Sequence, residues 1–335
     1  MKVIVTGGAG YIGSHTIIEL VSSKFTPIII DNLCNSNISN INGIKKITGK
    51  KIKWYNKDCC NKKDMYEIFE TEKNISGIIH FAAYKSVEES TKNPKKYYDN
   101  NIGSLEILLD CMNKYKVNNL VFSSSCTVYG SPDKLPVDES AFFKKAESPY
   151  AETKQLCEKV LQESSINFVS LRYFNPIGAH GSGLIGDCSS DKPANLVPII
   201  CEVANGIREN LIINGNNYNT IDGTCVRDYI NIIDLAESHV SALFYLLENN
   251  QNNFFNIGTG KGLSVLQAVD AFEKANKIKI NFSIGNRRIG DVEEIYSDNK
   301  KVKKILNWEA KRSIKDAMKS AWKWQLNKNN LKNYS

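Results

Sequence analysis

Tyr150 and Lys154 lie four residues apart in Pro149-Tyr150-Ala151-Glu152-Thr153-Lys154. On a helix, positions so spaced share a face. An ammonium beside a phenol favours the phenolate, and each unit of pKa lowered from about 10 requires about 1.4 kcal/mol of differential stabilisation. Lys154 supplies part of that, and a second positive charge on a bound cofactor supplies more, leaving Tyr150 able to take a proton from an alcohol near neutral pH. Alone, the pair is an ordinary half-exposed helix face. Ser123-Ser124-Ser125 follows the apolar run Leu120 to Phe122. Such serines either cap a turn or set a hydroxyl opposite the tyrosine, where two polar groups would define the place of a reacting alcohol.

The elements that must hold these groups begin at the N-terminus. A β-branched strand, Lys2 to Thr6, runs into Gly7-Gly8-Ala9-Gly10-Tyr11-Ile12-Gly13 and a helix from Ser14 through Val21. Gly7 permits the tight turn, Gly10 admits a pyrophosphate to the backbone, and Gly13 lets the helix pack on its strand. Asp31 closes the next strand, Pro27 to Ile30, where its carboxylate binds ribose hydroxyls and repels a 2′-phosphate, selecting NAD over NADP. Nicotinamide then provides the second cation beside Tyr150. Ile52 to Asn56, Gly77 to Phe81, Asn119 to Ser123 and Asn167 to Arg172 alternate as strands with helices at Lys62 to Glu72, Tyr97 to Tyr115 and Tyr150 to Glu163. That alternation predicts an α/β fold, a doubly wound parallel sheet of Rossmann type, with ligands at its carboxyl edge near Asp58, Phe81 to Lys85 and Ser123 to Thr127.

The 335 residues exceed a single core, so a second, smaller mixed α/β domain is expected. We place the first domain at 1–177, with a returning segment near 225–258, and the second at 178–335. Gly178 to Pro193, rich in Gly, Ser and Asp, reads as the loop leaving the sheet. Beyond it come helices Leu235 to Leu247 and Val265 to Ala275, and strands Leu211 to Ile213 and Phe254 to Ile257. Asn195, Arg227, Arg287-Arg288 and Asp291 supply polar groups there, and arginine forks suit phosphate oxygens. No apolar run is long enough to cross a bilayer and no signal peptide is legible, which predicts a cytoplasmic protein without membrane association. Nine scattered cysteines and four histidines give free thiols and no metal site. The net charge of +7 is spread among acids and asparagines, not gathered into the basic stripe that nucleic acid would require.

Gly7 to Gly13, Asp31, Ser123 to Thr127, Tyr150 with Lys154, and Arg172-Tyr173-Phe174-Asn175-Pro176 together resemble the extended short-chain dehydrogenase/reductase family, in its nucleotide-sugar epimerase branch. Tyr97 to Asn101, Asp222-Gly223-Thr224 and Val226 to Ile230 extend the resemblance nearly end to end. It implies tightly held NAD, a UDP-sugar substrate, and interconversion of UDP-galactose and UDP-glucose by transient oxidation at sugar C4. Tyr150 would accept the 4-hydroxyl proton, aided by Lys154, with Ser125 bridging and Thr127 beside it. Cofactor contacts carried over fall on Gly7, Gly10, Tyr11, Ile12, Gly13, Asp31, Asn32, Leu33, Cys34, Asn35, Ser36, Asp58, Cys59, Phe81, Ala82, Ala83, Tyr84, Lys85, Asn100 and Phe174, with Tyr150 and Lys154. Substrate contacts fall on Lys85, Ser125, Thr127, Tyr150, Asn175, Asn195, Leu196, Arg227, Arg288, Asp291 and Ile295. A homodimer paired through the Tyr97 to Tyr115 and Tyr150 to Glu163 helices is also implied.

Two positions depart from the family. Asn214 precedes Gly215 where a Phe is usual, which weakens packing near the uracil. Ile295 stands where Tyr marks enzymes restricted to plain hexoses and Cys those accepting N-acetylated ones, so at best partial turnover of UDP-N-acetylhexosamines is expected. The alternatives are another NAD-dependent nucleotide-sugar epimerase or dehydratase of the same family and, from a different class, a silent NAD-binding scaffold or an RNA-associated protein. A 4,6-dehydratase carries adjacent Asp and Glu after the serine strand, where this chain has Cys126-Thr127-Val128.

Overall fold

The computed structural model describes residues 1–188, 193–288 and 291–332. Lys2–Thr6 (β1) buries all but its first residue, so it must lie inside a sheet covered on both faces. Its neighbours are Thr26–Ile30 (β2) on one side and, after Lys53–Tyr55 (β3), Ile75–His80 (β4) on the other. Asn119–Ser125 (β5) and Asn167–Tyr173 (β6) extend the sheet beyond β4, and Asn253–Ile257 returns from the second half to pair with β6. All seven strands are parallel, in the order Asn253–Ile257, β6, β5, β4, β1, β2, β3. The chain reverses direction of travel between β1 and β4, and there the predicted doubly wound sheet opens its crevice.

Successive side chains of a strand face opposite ways, and two cores follow from that. Val3, Val5, Ile29, Ile79 and Val121 pack with the Tyr11–Ser22 and Ile232–Asn249 helices. Ile4, Ile28, Ile78, Leu120 and Phe122 pack with the helices Lys62–Thr71, Gly103–Tyr115 and Pro149–Glu163. A further core, including Ile177, Ile200, Ile213, Tyr229, Phe272 and Met318, joins the helices Leu196–Ala204, Val265–Asn276 and Ile314–Lys332. Beside it lie the parallel pair Leu211–Asn214 with Phe282–Gly285, and the three short strands Leu263–Ser264, Val226–Arg227 and Glu294–Ile295.

The expected Tyr97 to Tyr115 helix is in pieces: Pro94–Tyr97, a π-helical turn at Tyr98–Ile102, then Gly103–Tyr115. The extra residue turns Asn101 inward, where its side chain bonds Tyr84 N and O and Thr153 Oγ1. The helix Ile38–Thr48, not singled out from sequence, is fixed by Asn37, whose side chain accepts from Ser39 N, and ends on Gly49 at φ 68°. Of the predicted Gly178 to Pro193 loop, 178–188 crosses from the sheet toward the C-terminal helix, while 189–192 lie outside the described residues. Among the described residues no helix is long and apolar enough to cross a membrane.

Candidate active site

The turn after β1 is built so that backbone alone can face a ligand. Gly7 has φ 68°, and a Cβ on it would meet Ala82 N at 2.8 Å. A Cβ at Gly13 would overlap the carbonyl oxygen of Gly7. Gly10 begins the Tyr11–Ser22 helix with no side-chain cap and no acid in the first turn, leaving the amide dipoles free to meet an anion. At the end of β2 the Asp31 carboxylate accepts from Ala9 N (2.9 Å), Leu33 N (2.9 Å) and Ser36 Oγ (2.7 Å), which fixes its place beside the glycine turn. These features fit a dinucleotide without a 2′-phosphate.

They line one cleft, open to solvent, that runs on to the helix bearing Tyr150 and Lys154. Gly7, Gly10, Tyr11, Ile12, Gly13, Asp31, Asn32, Cys34, Asn35, Ser36, Asp58, Cys59, Phe81, Ala82, Ala83, Tyr84, Lys85 and Asn100 face it, and so do Tyr150 and Lys154. Leu33 does not line it, and Phe174 packs instead with Cys126, Val128, Tyr129, Val137 and Ile295. Ser123, in the stretch expected at the carboxyl edge, lines it too, whereas sequence reasoning missed Ile30, Lys57, Cys60, Ser104 and Tyr173. Tyr173 was findable, because it pairs with Ser125 at the carboxyl end of the adjacent strand. The Ser123 and Tyr173 hydroxyls make a short hydrogen bond to each other.

Pro149 at the first turn and Ser148, whose side chain accepts from Ala151 N at 3.2 Å, start the helix that carries the chemistry. Tyr150 and Lys154 are both buried, on the face turned to β5. Lys154 Nζ donates to Ser123 O at 2.7 Å and lies 4.8 Å from the centre of the Phe122 ring. Burial lowers the Lys154 pKa to about 8, against the opposing pull of Cys157 and Glu158. The expected lowering of the Tyr150 pKa draws on Lys154 together with a bound cofactor's positive charge, and the protein's own surroundings act the other way. Burial pushes the phenol well above its ordinary value, Tyr173 adds to the rise, and a bond with Ser125 only partly offsets it. Desolvation of a phenolate outweighs an ammonium that is itself engaged by a carbonyl.

Ser125 ends β5, and its Oγ accepts from Thr127 N at 3.2 Å, starting the 3₁₀ turn Cys126–Tyr129. Thr127 Oγ1 is buried without a hydrogen-bond partner. Small strands gather part of the predicted substrate set: Arg227 is in register with Ile295, its guanidinium is 3.7 Å from Asp291, and Asn175 N donates to Asp228 O at 2.9 Å. Ile295 is buried against Cys126 and Phe174. Asn195 is exposed at the start of the Leu196–Ala204 helix, Leu196 packs on the third core, and Arg288 is exposed, with no described contact joining them to Arg227. Lys85 lies 3.7 Å from Asp187.

A buried tyrosine and lysine at the rim of a glycine-lined cleft, on a sheet of this topology, define a dinucleotide-dependent enzyme that works on an alcohol or its carbonyl. A family model described as GDP-mannose 4,6 dehydratase matches residues 4–321. A UDP-glucose 4-epimerase of Dictyostelium discoideum is 48% identical over 330 residues, covering 97% of this chain and 95% of that protein. The crystal structure of UDP-glucose-4-epimerase from Stenotrophomonas maltophila, with bound NAD and formylated UDP-arabinopyranose, superposes with TM-score 0.95 at 40% identity, covering 98% of this chain and 99% of that one. The enzyme of that name from Bifidobacterium longum, in complex with NAD+ and UDP, gives TM-score 0.94 at 40% identity with the same coverage. The chain belongs to the UDP-glucose 4-epimerase family of extended short-chain dehydrogenase/reductases.

Proposed function

We propose that this protein interconverts UDP-galactose and UDP-glucose by transient oxidation at sugar C4, with NAD held throughout the cycle. The observation that carries the reading is the single cleft that runs from the glycine turn and Asp31 to Tyr150 and Lys154. When bound, NAD would supply the acceptor and donor of the hydride at C4. Gly7, Gly10, Tyr11, Ile12 and Gly13 serve its diphosphate, Asp31 to Ser36 its adenosine ribose, and Asp58, Cys59, Phe81 to Lys85 and Asn100 the remainder of the cleft. Tyr150 accepts the C4 hydroxyl proton and later returns it. Burial raises the pKa of that phenol, so its deprotonation draws on positive charge from Lys154 and the bound cofactor together. Ser125, at the end of β5, shares the same proton, and the orphaned Thr127 hydroxyl is available to a sugar hydroxyl.

Arg227, Arg288, Asp291, Asn175, Asn195 and Leu196 anchor the UDP, which leaves the sugar loosely held and free to present both faces of its carbonyl. The division of labour is 1–177, with the return near 225–258, for NAD and 178–335 for the UDP-sugar. The sheet pairing of Asn253–Ile257 and the separate core around Phe272 support it. A homodimer through the Pro149–Glu163 helix is consistent with Leu156, which stays 37% exposed there. Cytoplasmic residence agrees with nine cysteines that are all unpaired. A dehydratase reaction is disfavoured by the Cys126–Tyr129 turn, which offers no adjacent carboxylates for elimination.

The test is direct. Protein purified without added nucleotide is denatured and its released dinucleotide measured by absorbance, and the native protein is then given UDP-galactose alone. NAD near one per chain with UDP-glucose as product is the expected outcome, and kcat/KM for UDP-N-acetylglucosamine falls below that for UDP-glucose because Ile295 is bulkier than cysteine. Bound NAD without turnover or UDP-sugar binding points to a scaffold.

A further inference from the structure

The mechanism leaves one buried ion pair unused. Glu158, one helical turn beyond Lys154, is fully buried, and its carboxylate accepts from Ser124 Oγ (2.6 Å), Ser170 Oγ (2.8 Å), Arg172 Nε (3.0 Å) and Arg172 Nη2 (2.7 Å). Arg172 stands on β6 beside Ser124 of β5, and its Nη1 donates to Tyr129 Oη at 3.0 Å. Its guanidinium carbon lies 5.1 Å from the Tyr129 ring centre, 4.9 Å from that of Phe143 and 4.7 Å from that of Phe254. Two residues of the serine strand are thus fastened to one helix: Ser123 through its carbonyl to Lys154, and Ser124 through its hydroxyl to Glu158. Ser125 comes next, and Tyr150 lies one turn before Lys154. Replacement of a buried ion pair by apolar residues is often neutral or stabilising, so stability alone gives no reason for this one.

We propose that Glu158, clamped by Arg172 and Ser124, is a positioning residue that sets the register of the Tyr150–Lys154 helix against the serine strand, so that Tyr150 and Ser125 converge on one substrate oxygen. The kinetic part of this inference rests on the epimerase reading, while the geometric part does not. Gln at position 158 keeps the size of the side chain but no longer matches the arginine fork. The holoenzyme of Glu158→Gln is predicted to lose at least about tenfold in kcat, since small misplacements of reacting groups have effects of that order or larger. KM for UDP-galactose stays within about twofold, because uniform binding is untouched. A crystal structure of the same variant shows Lys154 Nζ displaced from Ser123 O. In a Tyr150→Phe background the substitution has no further effect on residual turnover, as expected of a residue that acts through Tyr150.

Retention of the Lys154 to Ser123 bond in the variant overturns the proposal whatever the activity. An equal fractional loss of turnover in the Tyr150→Phe background overturns it too, because the effect is then general. Displacement of Lys154 in a protein whose wild type shows no turnover leaves the positioning role standing and removes the epimerase reading. If Glu158→Gln does not fold, Ser124→Ala, which leaves the ion pair intact, is read in the same ways, with kcat lowered about threefold, the loss of one hydrogen bond.

Discussion

Tyr150 is placed where burial disfavours its ionisation. Its ring is buried, the neighbouring Tyr173 raises its pKa further, and the ammonium that should help it donates to the Ser123 carbonyl. Burial disfavours the phenolate there, and positive charge beside the ring favours it. Tyr150→Phe keeps the volume and the packing and removes the proton acceptor. Steady-state assay of the variant should show turnover lower by at least about a hundredfold, the ordinary worth of a general base. NAD content and UDP affinity should match wild type. A variant that retains a tenth or more of wild-type kcat would move the base elsewhere in the cleft.

Among the elements, the glycine turn shows how closely the segment after β1 is packed. A Cβ on Gly13 has no space, because the Gly7 carbonyl occupies it and the Gly8 Cα lies 2.8 Å away, both rigid backbone. Gly13→Ala must therefore push the Tyr11–Ser22 helix off β1, with a loss of about 1–3 kcal/mol typical of overpacked cores. Urea unfolding should show that loss, and the purified variant should carry less NAD. This turn was legible in the sequence because all its requirements fall within Gly7 to Gly13 and the strand before it. The doubly wound sheet was legible for the same reason, since each strand announces itself by a short apolar run. Glu158 was not, although it follows Lys154 at helical spacing, because a glutamate in a helix reads as solvent-facing until Arg172 and Ser170 arrive from a distant strand. The Ile38–Thr48 helix was hidden by its asparagines, and the Ile314–Lys332 helix by a lysine-rich surface that masks Ala317, Met318 and Ala321 in the third core. Convergence of Arg227 on Ile295 and Asp291 depends on strands two residues long, which carry too little pattern to read.

Across the whole molecule, three of the four histidines are packed in the sheet half with no room for charge. His15 lies in the Tyr11–Ser22 helix with its ring edge-on to Tyr11, His80 ends β4 with Nδ1 2.7 Å from Thr6 Oγ1, and His239 lies 4.7 Å from Phe81, ring to ring. Burial lowers their pKa values from 6.5 to about 3, about 3 and about 4 respectively. Nε2 of His15 and of His239 has no hydrogen-bond partner, so protonation of either would place an uncompensated cation in the core. The sign of the pH effect follows. Above pH 6.5 the three are neutral in the folded and unfolded chains alike, and they add no slope. As pH falls from 6.5 toward the folded values, the unfolded chain binds protons that the folded chain refuses, and folding becomes less favourable. His239→Leu removes one of these sites while keeping an apolar side chain among Phe81 and Tyr173. Unfolding free energies measured in urea between about pH 4.5 and 6 should fall less steeply for the variant, by about one proton or roughly 1.4 kcal/mol per pH unit. Identical slopes for the two proteins would mean that His239 takes up its proton in the folded chain at the same pH as in the unfolded one, so that the wall of the cleft beneath Phe81 accepts a cation below about pH 6.5.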